Sequence, residues 1–278
     1  RHLLILSSYV KYFFYHCPTD LPREYFLNGI PPIISYPATQ HFTFILFQNR
    51  LIFEPDIDLI FSFYYRIKIR LLRKLVTTLS SRHFKYIVQT PSMYSAVKRL
   101  LPSIQSIDVT TTDWKNLDFH FSDHSVSHVP FHINALKDLK TSPLFFFYPA
   151  SSLPHKNHIR LFKAFSTASI FSLRPIFLLV TINPDAITDV TIDSSLIISL
   201  GILSQQQISY YYQNCDALIF PSLVESLGLP LIEASSFNLP IIASNLDFVF
   251  DVCTPFLTFN PHSILSIASS IKLSQSLL

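Results

Sequence analysis

The sequence predicts an α/β protein of two domains built from parallel β-α-β units. Three observations carry this. Short apolar runs alternate with longer stretches of helical periodicity, which is the pattern of parallel units. Hydrophobic residues make up 49% of the 278 positions and include 26 Phe, an ample core for a length that fits one large domain or two ordinary ones. Charge is unevenly divided: residues 1–140 carry 16 Lys/Arg against 10 Asp/Glu, a net of +6, and residues 141–278 carry 5 against 8, a net of −3. The expected domains are 1–140 and 141–278. A basic half points to an anionic partner surface.

Taken in order, FTFILF (42–47) reads as a strand and residues 61–79 as a helix rich in Tyr, Leu and Arg. KYIVQT (85–90) is a strand, followed by a helix that Pro91 opens and that runs to about Leu101. Mixed polar segments fill 102–140, the expected crossover between domains. LFFFYP (144–149) is a strand, followed by a helix from about Asn157 to Ala168. IFLLVT (176–181) and LIISLG (196–201) are further strands. Ser204 with Gln207 forms a capping box for a helix to about Gln213. ALIFP (217–221) reads as a buried strand, and Leu229 to Phe237 as the helix after it. PIIAS (240–244), FLTF (256–259) and a last helix from about Pro261 complete the series.

Several classes are disfavoured. Cys17, Cys215 and Cys253 are odd in number and lack metal spacing, so neither a disulfide framework nor a zinc site is expected. No apolar run reaches the ~18 residues of a membrane span. The best candidate, Ile170 to Ile182, is broken by Arg174 and Pro175. No signal peptide is visible. The expectation is a cytoplasmic protein, with the inner face of the membrane as a contact for its basic half. No P-loop, G-x-S-x-G or nucleic-acid motif is present, so no nucleic-acid partner is expected. Asp56-Ile-Asp58 has a D-x-D form but stands alone, and no metal is expected.

The most informative stretch is FPSLVESLGLPLIEA (220–234), which sets Glu225 and Glu233 eight positions apart around Gly228, one of three glycines. Glu225 falls in a strand-to-helix loop at the carboxyl edge of a parallel sheet, where ligands of open α/β sheets bind. Glu233 falls one to two turns into a helix whose N-terminus attracts anions.

This E-x7-E arrangement resembles the signature of retaining GT-B glycosyltransferases. More narrowly, it is similar to bacterial group 1 transferases that build surface polysaccharides such as O-antigen and capsule. The likeness continues in FFFYPASSLPHKNH (145–158), LGILSQQQISYYYQNCDALIFPS (200–222), LPIIASNLDFVFDV (239–252) and FNPHSILSIASSI (259–271), in the family's order. The N-terminal half carries only suggestive matches in NGIPP (28–32), LFQNR (46–50) and YIVQTPSM (86–93). The resemblance implies a GT-B fold: two Rossmann-like domains facing a cleft, with a shortened acceptor-side domain (1–140) and a nucleotide-sugar donor-binding domain (141–278). It implies sugar transfer from a nucleotide-sugar to a glycan or undecaprenyl-linked acceptor, with retention of anomeric configuration and no cofactor beyond the donor.

The implied roles fall residue by residue. Glu233 binds the ribose hydroxyls, since a carboxylate accepts from two vicinal hydroxyls; the alternative is a solvated helix acid. Glu225 lies beside the donor sugar and stabilises positive charge at the anomeric carbon or attacks it; the alternative is a loop acid near a helix start. Lys156 offsets the diphosphate charge; the alternative is a solvated loop lysine. Gly228 lets the backbone approach the phosphates, with Ser226, Leu227 and Leu229 offering N–H groups; the alternative is a plain loop glycine. Many members of the family carry an Arg about five residues before the lysine, where this chain has Ala150 and Ser151. None of the N-terminal histidines lies in a matched block, so no catalytic His is named.

Residues 61–75 combine five basic residues with a Phe63, Ile67, Leu71, Leu75 face. Two readings fit: contact with an anionic membrane, or a core helix with a solvated basic edge. Two rival functions also stand. One is a sugar-nucleotide epimerase or hydrolase. The other is a degenerate, non-catalytic subunit that binds a partner transferase or a glycan.

Overall fold

The computed structural model describes residues 27–28, 44–47, 49–80, 85–109, 129–133, 142–183 and 193–278. The contacts divide the chain into two compact units: residues 1–113 with 225–227, and residues 114–224 with 228–278. The boundary expected at 140/141 lies outside the described residues, as do Cys17 and the histidines from 83 to 128.

The first unit holds a parallel sheet in the order β1-β2-β3-β4, formed by Leu27–Asn28, Phe44–Phe47, Lys85–Val88 and Ile107–Val109. Between β2 and β3 lie 3₁₀ turns at Arg50–Phe53 and Pro55–Ile60, then helix α1, Phe63–Leu79. Helix α2, Pro91–Leu100, follows β3; Thr90 caps it by accepting from the Met93 amide at 3.2 Å, with Pro91 in the first turn. Phe47, Phe53, Tyr86, Val88, Met93 and Val97 form the core.

The rotation of α1 about its axis sets which of its faces is buried. Its inward face is Ile69, Arg73 and Val76. Arg73 forks onto Asp58 with Nη1–Oδ2 2.8 Å and Nη2–Oδ1 2.9 Å, and its Nε donates to the Ile52 carbonyl at 2.7 Å. Phe63, Ile67 and Leu71 therefore point outward, exposed by 71%, 41% and 62%, and Leu75 is half-buried. The helix is packed on the core through Ile69, Leu72 and Val76 rather than through the expected stripe, with Lys68, Arg70 and Lys74 exposed.

The second unit holds six parallel strands: β5 Leu144–Tyr148, β6 Ile176–Val180, β7 Ile197–Ser199, β8 Ala217–Phe220, β9 Ile241–Ser244 and β10 Leu257–Phe259. Their spatial order is β7-β6-β5-β8-β9-β10, the 3-2-1-4-5-6 winding of a Rossmann sheet. Every residue of β5, β8 and β9 is buried, as central strands covered on both faces must be. Helices α3 His158–Ile170, α4 Gln205–Asn214, α5 Leu229–Ser236, α6 Asp247–Val252 and α7 Ile264–Ser274 connect or cover them. The capping box of α4 is present in both directions: Gln207 N donates to Ser204 Oγ at 3.3 Å and Ser204 N to Gln207 Oε1 at 2.8 Å. Each unit is a Rossmann-like α/β layer structure, the composition expected of a GT-B fold.

Candidate functional site

The strand order of the second unit reverses between β5 and β8. From β5 the chain winds outward through β6 and β7, then returns to β8 and winds the other way. Ligands of doubly wound sheets bind at the carboxyl edge of such a reversal, because the two loops there diverge and leave a crevice. The loop after β5 carries Lys156, and the loop after β8 leads to Gly228 and Glu233.

The Lys156 loop is held from below by β5. Tyr148, fully buried at the end of that strand, donates its hydroxyl to the Lys156 carbonyl at 2.7 Å. Ser222 Oγ lies 3.1 Å from the same hydroxyl, and with the Tyr148 proton committed, Ser222 is the donor. A 3₁₀ turn at Pro154–Lys156 follows, ended by Asn157 in the left-handed region (φ 63, ψ 28). The buried Asn157 amide donates to the Pro221 carbonyl at 3.1 Å and to the Pro261 carbonyl at 2.8 Å. Its oxygen accepts from Arg160 at 3.0 Å. Arg160 is thus engaged at the start of α3, and the Ala150 backbone pairs through both N and O with Thr181 Oγ1 at 3.1 Å.

Gly228 opens α5 with φ 76 and ψ 53, a left-handed conformation that side chains resist. Pro230 in the first turn fits the missing donors of a helix start. Glu233 follows on α5 as expected. Burial pushes its carboxyl above the usual range, and a hydrogen bond from Tyr212 partly counters this. Tyr212 Oη donates to Glu233 Oε2 at 2.7 Å.

His158, 4% exposed at the start of α3, has no hydrogen-bond partner for either ring nitrogen among the described residues. Burial, helped by the nearby charges of Lys156 and His155, pulls its pKa down to about 3, so the ring is neutral at ordinary pH. Its ring packs on Tyr148 at 4.9 Å and edge-on to Phe162 at 5.8 Å.

Lys156, Gly228, Leu229 and Glu233 therefore share the second unit: Lys156 on the loop after β5, Gly228 at the cap that ends the loop after β8, and Leu229 and Glu233 on α5. Glu225, Ser226 and Leu227 group with the first unit, where Ser226 Oγ accepts from the Arg50 amide at 2.9 Å and the Ser226 carbonyl from Thr90 Oγ1 at 3.2 Å. The D-x-D acid Asp58 is filled by Arg73, whose hydrogen bonds hold its carboxyl below the usual range. No cluster of three His, Cys, Asp or Glu occurs among the described residues. The sequence reading missed Tyr148, Ser222, Asn157 and Tyr212. Of these only Asn157 carried a local signal, as an Asn able to adopt a left-handed turn before a helix.

Residues 195–272 match the model of the family described as Glycosyl transferases group 1. That span contains Glu225, Gly228 and Glu233 but not Lys156. The chain is 27% identical over 161 residues to the serotype-specific mannosyltransferase WbdA of Escherichia coli, a match covering 54% of this chain and 19% of that one. The chain spans about a fifth of the length of the curated relatives it matches. Among solved structures it is similar to sucrose-phosphate synthase from Thermosynechococcus elongatus (TM-score 0.58, 15% identity, covering 85% of this chain and 60% of that one). It is also similar to Anabaena HepE in complex with UDP and glucose (TM-score 0.54, 14% identity, covering 84% and 62%). At these identities the likeness shows the fold.

Proposed function

We propose that this chain is a glycosyltransferase that moves a sugar from a nucleotide-sugar donor to a glycan or lipid-linked acceptor in surface-polysaccharide synthesis. The observation that carries the reading is the placement of the Lys156 loop and the Gly228–Glu233 segment on either side of the strand-order reversal. The family match over 195–272, the name of the WbdA relative and the UDP held by HepE support it.

In this reading Glu233 accepts from the ribose hydroxyls. The Lys156 ammonium and the N-terminus of α5 offset the charge that builds on the leaving diphosphate. Glu225 is assigned the offsetting of positive charge at the anomeric carbon, whose configuration is retained. The charge is balanced by protein groups, without a metal. The acceptor hydroxyl oxygen bonds to the anomeric carbon as the bond from that carbon to the diphosphate oxygen breaks, and the hydroxyl proton passes to the departing diphosphate.

The membrane contact belongs to the same reading. No helix among the described residues is long and apolar enough to cross a membrane. The outward stripe of α1, extended by Tyr64 (79% exposed), is flanked by Lys68, Arg70 and Lys74. The 49 residues from Leu59 to Ile107 include no Asp or Glu. An apolar stripe inside a cationic field complements an anionic lipid surface, where an undecaprenyl-linked acceptor resides.

Calorimetric titration with UDP and with GDP tests the donor site. One nucleotide should bind without added metal, and Glu233→Ala should weaken it at least tenfold. Binding of neither would overturn the reading. It would favour a non-catalytic subunit, toward which the Ala150 and Ser151 positions lean.

A further inference from the structure

Glu233 must present its carboxylate in one orientation if it is to accept from two hydroxyls at once. A free glutamate on a helix turns about three bonds, so something has to fix it. Among the described residues the group that does so is Tyr212, on the neighbouring α4. The residue is 2% exposed. It stacks on Phe237 at 5.6 Å with planes 17° apart and meets Phe147 of β5 edge-on at 5.3 Å and 75°. Clamped in this way, the hydroxyl has one position, and it spends its proton on Glu233 Oε2 at 2.7 Å. A buried tyrosine hydroxyl needs an acceptor, and an ionised carboxylate is a strong one.

We propose that Tyr212 is a positioning residue of the nucleotide site: it holds Oε2 of Glu233 so that Oε1 is aimed at the vicinal hydroxyls of a ribose. The proposal rests on the ribose-binding reading of Glu233. Its chemistry is that of an outer partner which orients a ligating group without touching the ligand, an arrangement whose loss commonly costs ten- to a hundredfold in affinity at metal sites. The bond also bears on protonation. Burial raises the Glu233 pKa and the Tyr212 hydrogen bond lowers it. These are the two influences that act on it among the described residues; Cys215, at the end of α4, acts on Tyr212. Phe147 and Phe237, which flank the tyrosine, do not titrate.

Tyr212→Phe keeps the ring and its packing and removes only the hydroxyl. Nucleotide affinity (UDP or GDP, whichever wild type binds) should fall roughly five- to twentyfold at pH 7.5. The pH below which affinity declines should move upward, because the carboxylate loses the donor that favours its ionised form. A merely structural tyrosine would not move that pH. Thermal melting and circular dichroism of the variant report its folding, and Glu233→Gln, measured alongside, keeps an acceptor for the tyrosine while removing the charge. If Glu233→Gln weakens binding but Tyr212→Phe, folded, binds within twofold of wild type with the same pH profile, the positioning role is overturned and the ribose reading stands. If Tyr212→Phe does not fold, a double-mutant comparison of Tyr212→His with Glu233→Gln replaces it, and additive losses overturn the proposal. If Glu233→Gln and Glu233→Ala both bind like wild type, the ribose reading fails and the proposal with it.

Discussion

At the scale of single residues, the site is governed by what burial does to charge. His158 is neutral because its ring has been taken out of water beside Lys156. Its folded pKa lies below the ordinary histidine value, so the unfolded chain binds the extra proton as pH drops. The stability it contributes is complete above about pH 6.5 and is lost as pH falls toward the folded value near 3. Between pH 7.5 and 5 the loss from this one group should be about 2 kcal/mol. Denaturant titration at the two pH values checks this, and the loss should shrink in His158→Phe. Lys156 offers a separate test. Lys156→Ala should weaken nucleoside diphosphate binding by roughly ten- to a hundredfold and nucleoside monophosphate binding much less, because the ammonium is assigned to the diphosphate. Equal losses for both would place the lysine elsewhere.

At the scale of elements, α1 and α5 carry the clearest expectations. Leu71→Glu should reduce binding to phosphatidylglycerol vesicles at least tenfold and leave the melting temperature nearly unchanged, since Leu71 is 62% exposed. Unchanged sedimentation with vesicles would remove the membrane contact from the reading. Gly228→Ala forces a Cβ into a left-handed cap and should cost about 1 kcal/mol of stability, measured by chemical denaturation. The sequence reading recovered these helices and most strands from apolar runs, caps and prolines. It missed the turns at Arg50–Phe53 and Pro55–Ile60, the two- and three-residue strands β1 and β4, and the six-residue α6. Elements that short hold too few residues for a period to show. The rotation of α1 was also hidden: its apolar stripe matches a core helix, and the burial of Ile69 and Val76 together with the Arg73–Asp58 fork turns that stripe outward. Tyr212 sits within a run of three tyrosines, 210–212, and periodicity cannot say which of the three hydroxyls finds a carboxylate 21 residues away.

At the scale of the molecule, the chain carries two separate apolar cores, one under each sheet. Nucleotide bound to the loops of the second unit should stabilise that unit by mass action. Scanning calorimetry with saturating UDP or GDP should raise the transition belonging to the second unit and leave the other in place. A shift of both together by the same amount would mean that the two cores melt as one. The winding order of the second sheet is a long-range property. It rests on pairings such as Phe146 with Ala217, which no local window of sequence contains.

Asn157 joins three chain segments with one amide: its own turn, the Pro221 backbone and the Pro261 backbone. The start of α3 and the loops after β8 and β10 are thus tied together by the protein's own hydrogen bonds. Little conformational entropy remains to be lost on binding, so a nucleotide should associate as into a rigid receptor, with affinity set by the contacts it makes and little spent on folding the loops around it. Asn157→Asp, which would set a carboxylate against two carbonyl oxygens, should convert that receptor into one that must order itself. The change would be read as a more unfavourable binding entropy in the same titrations.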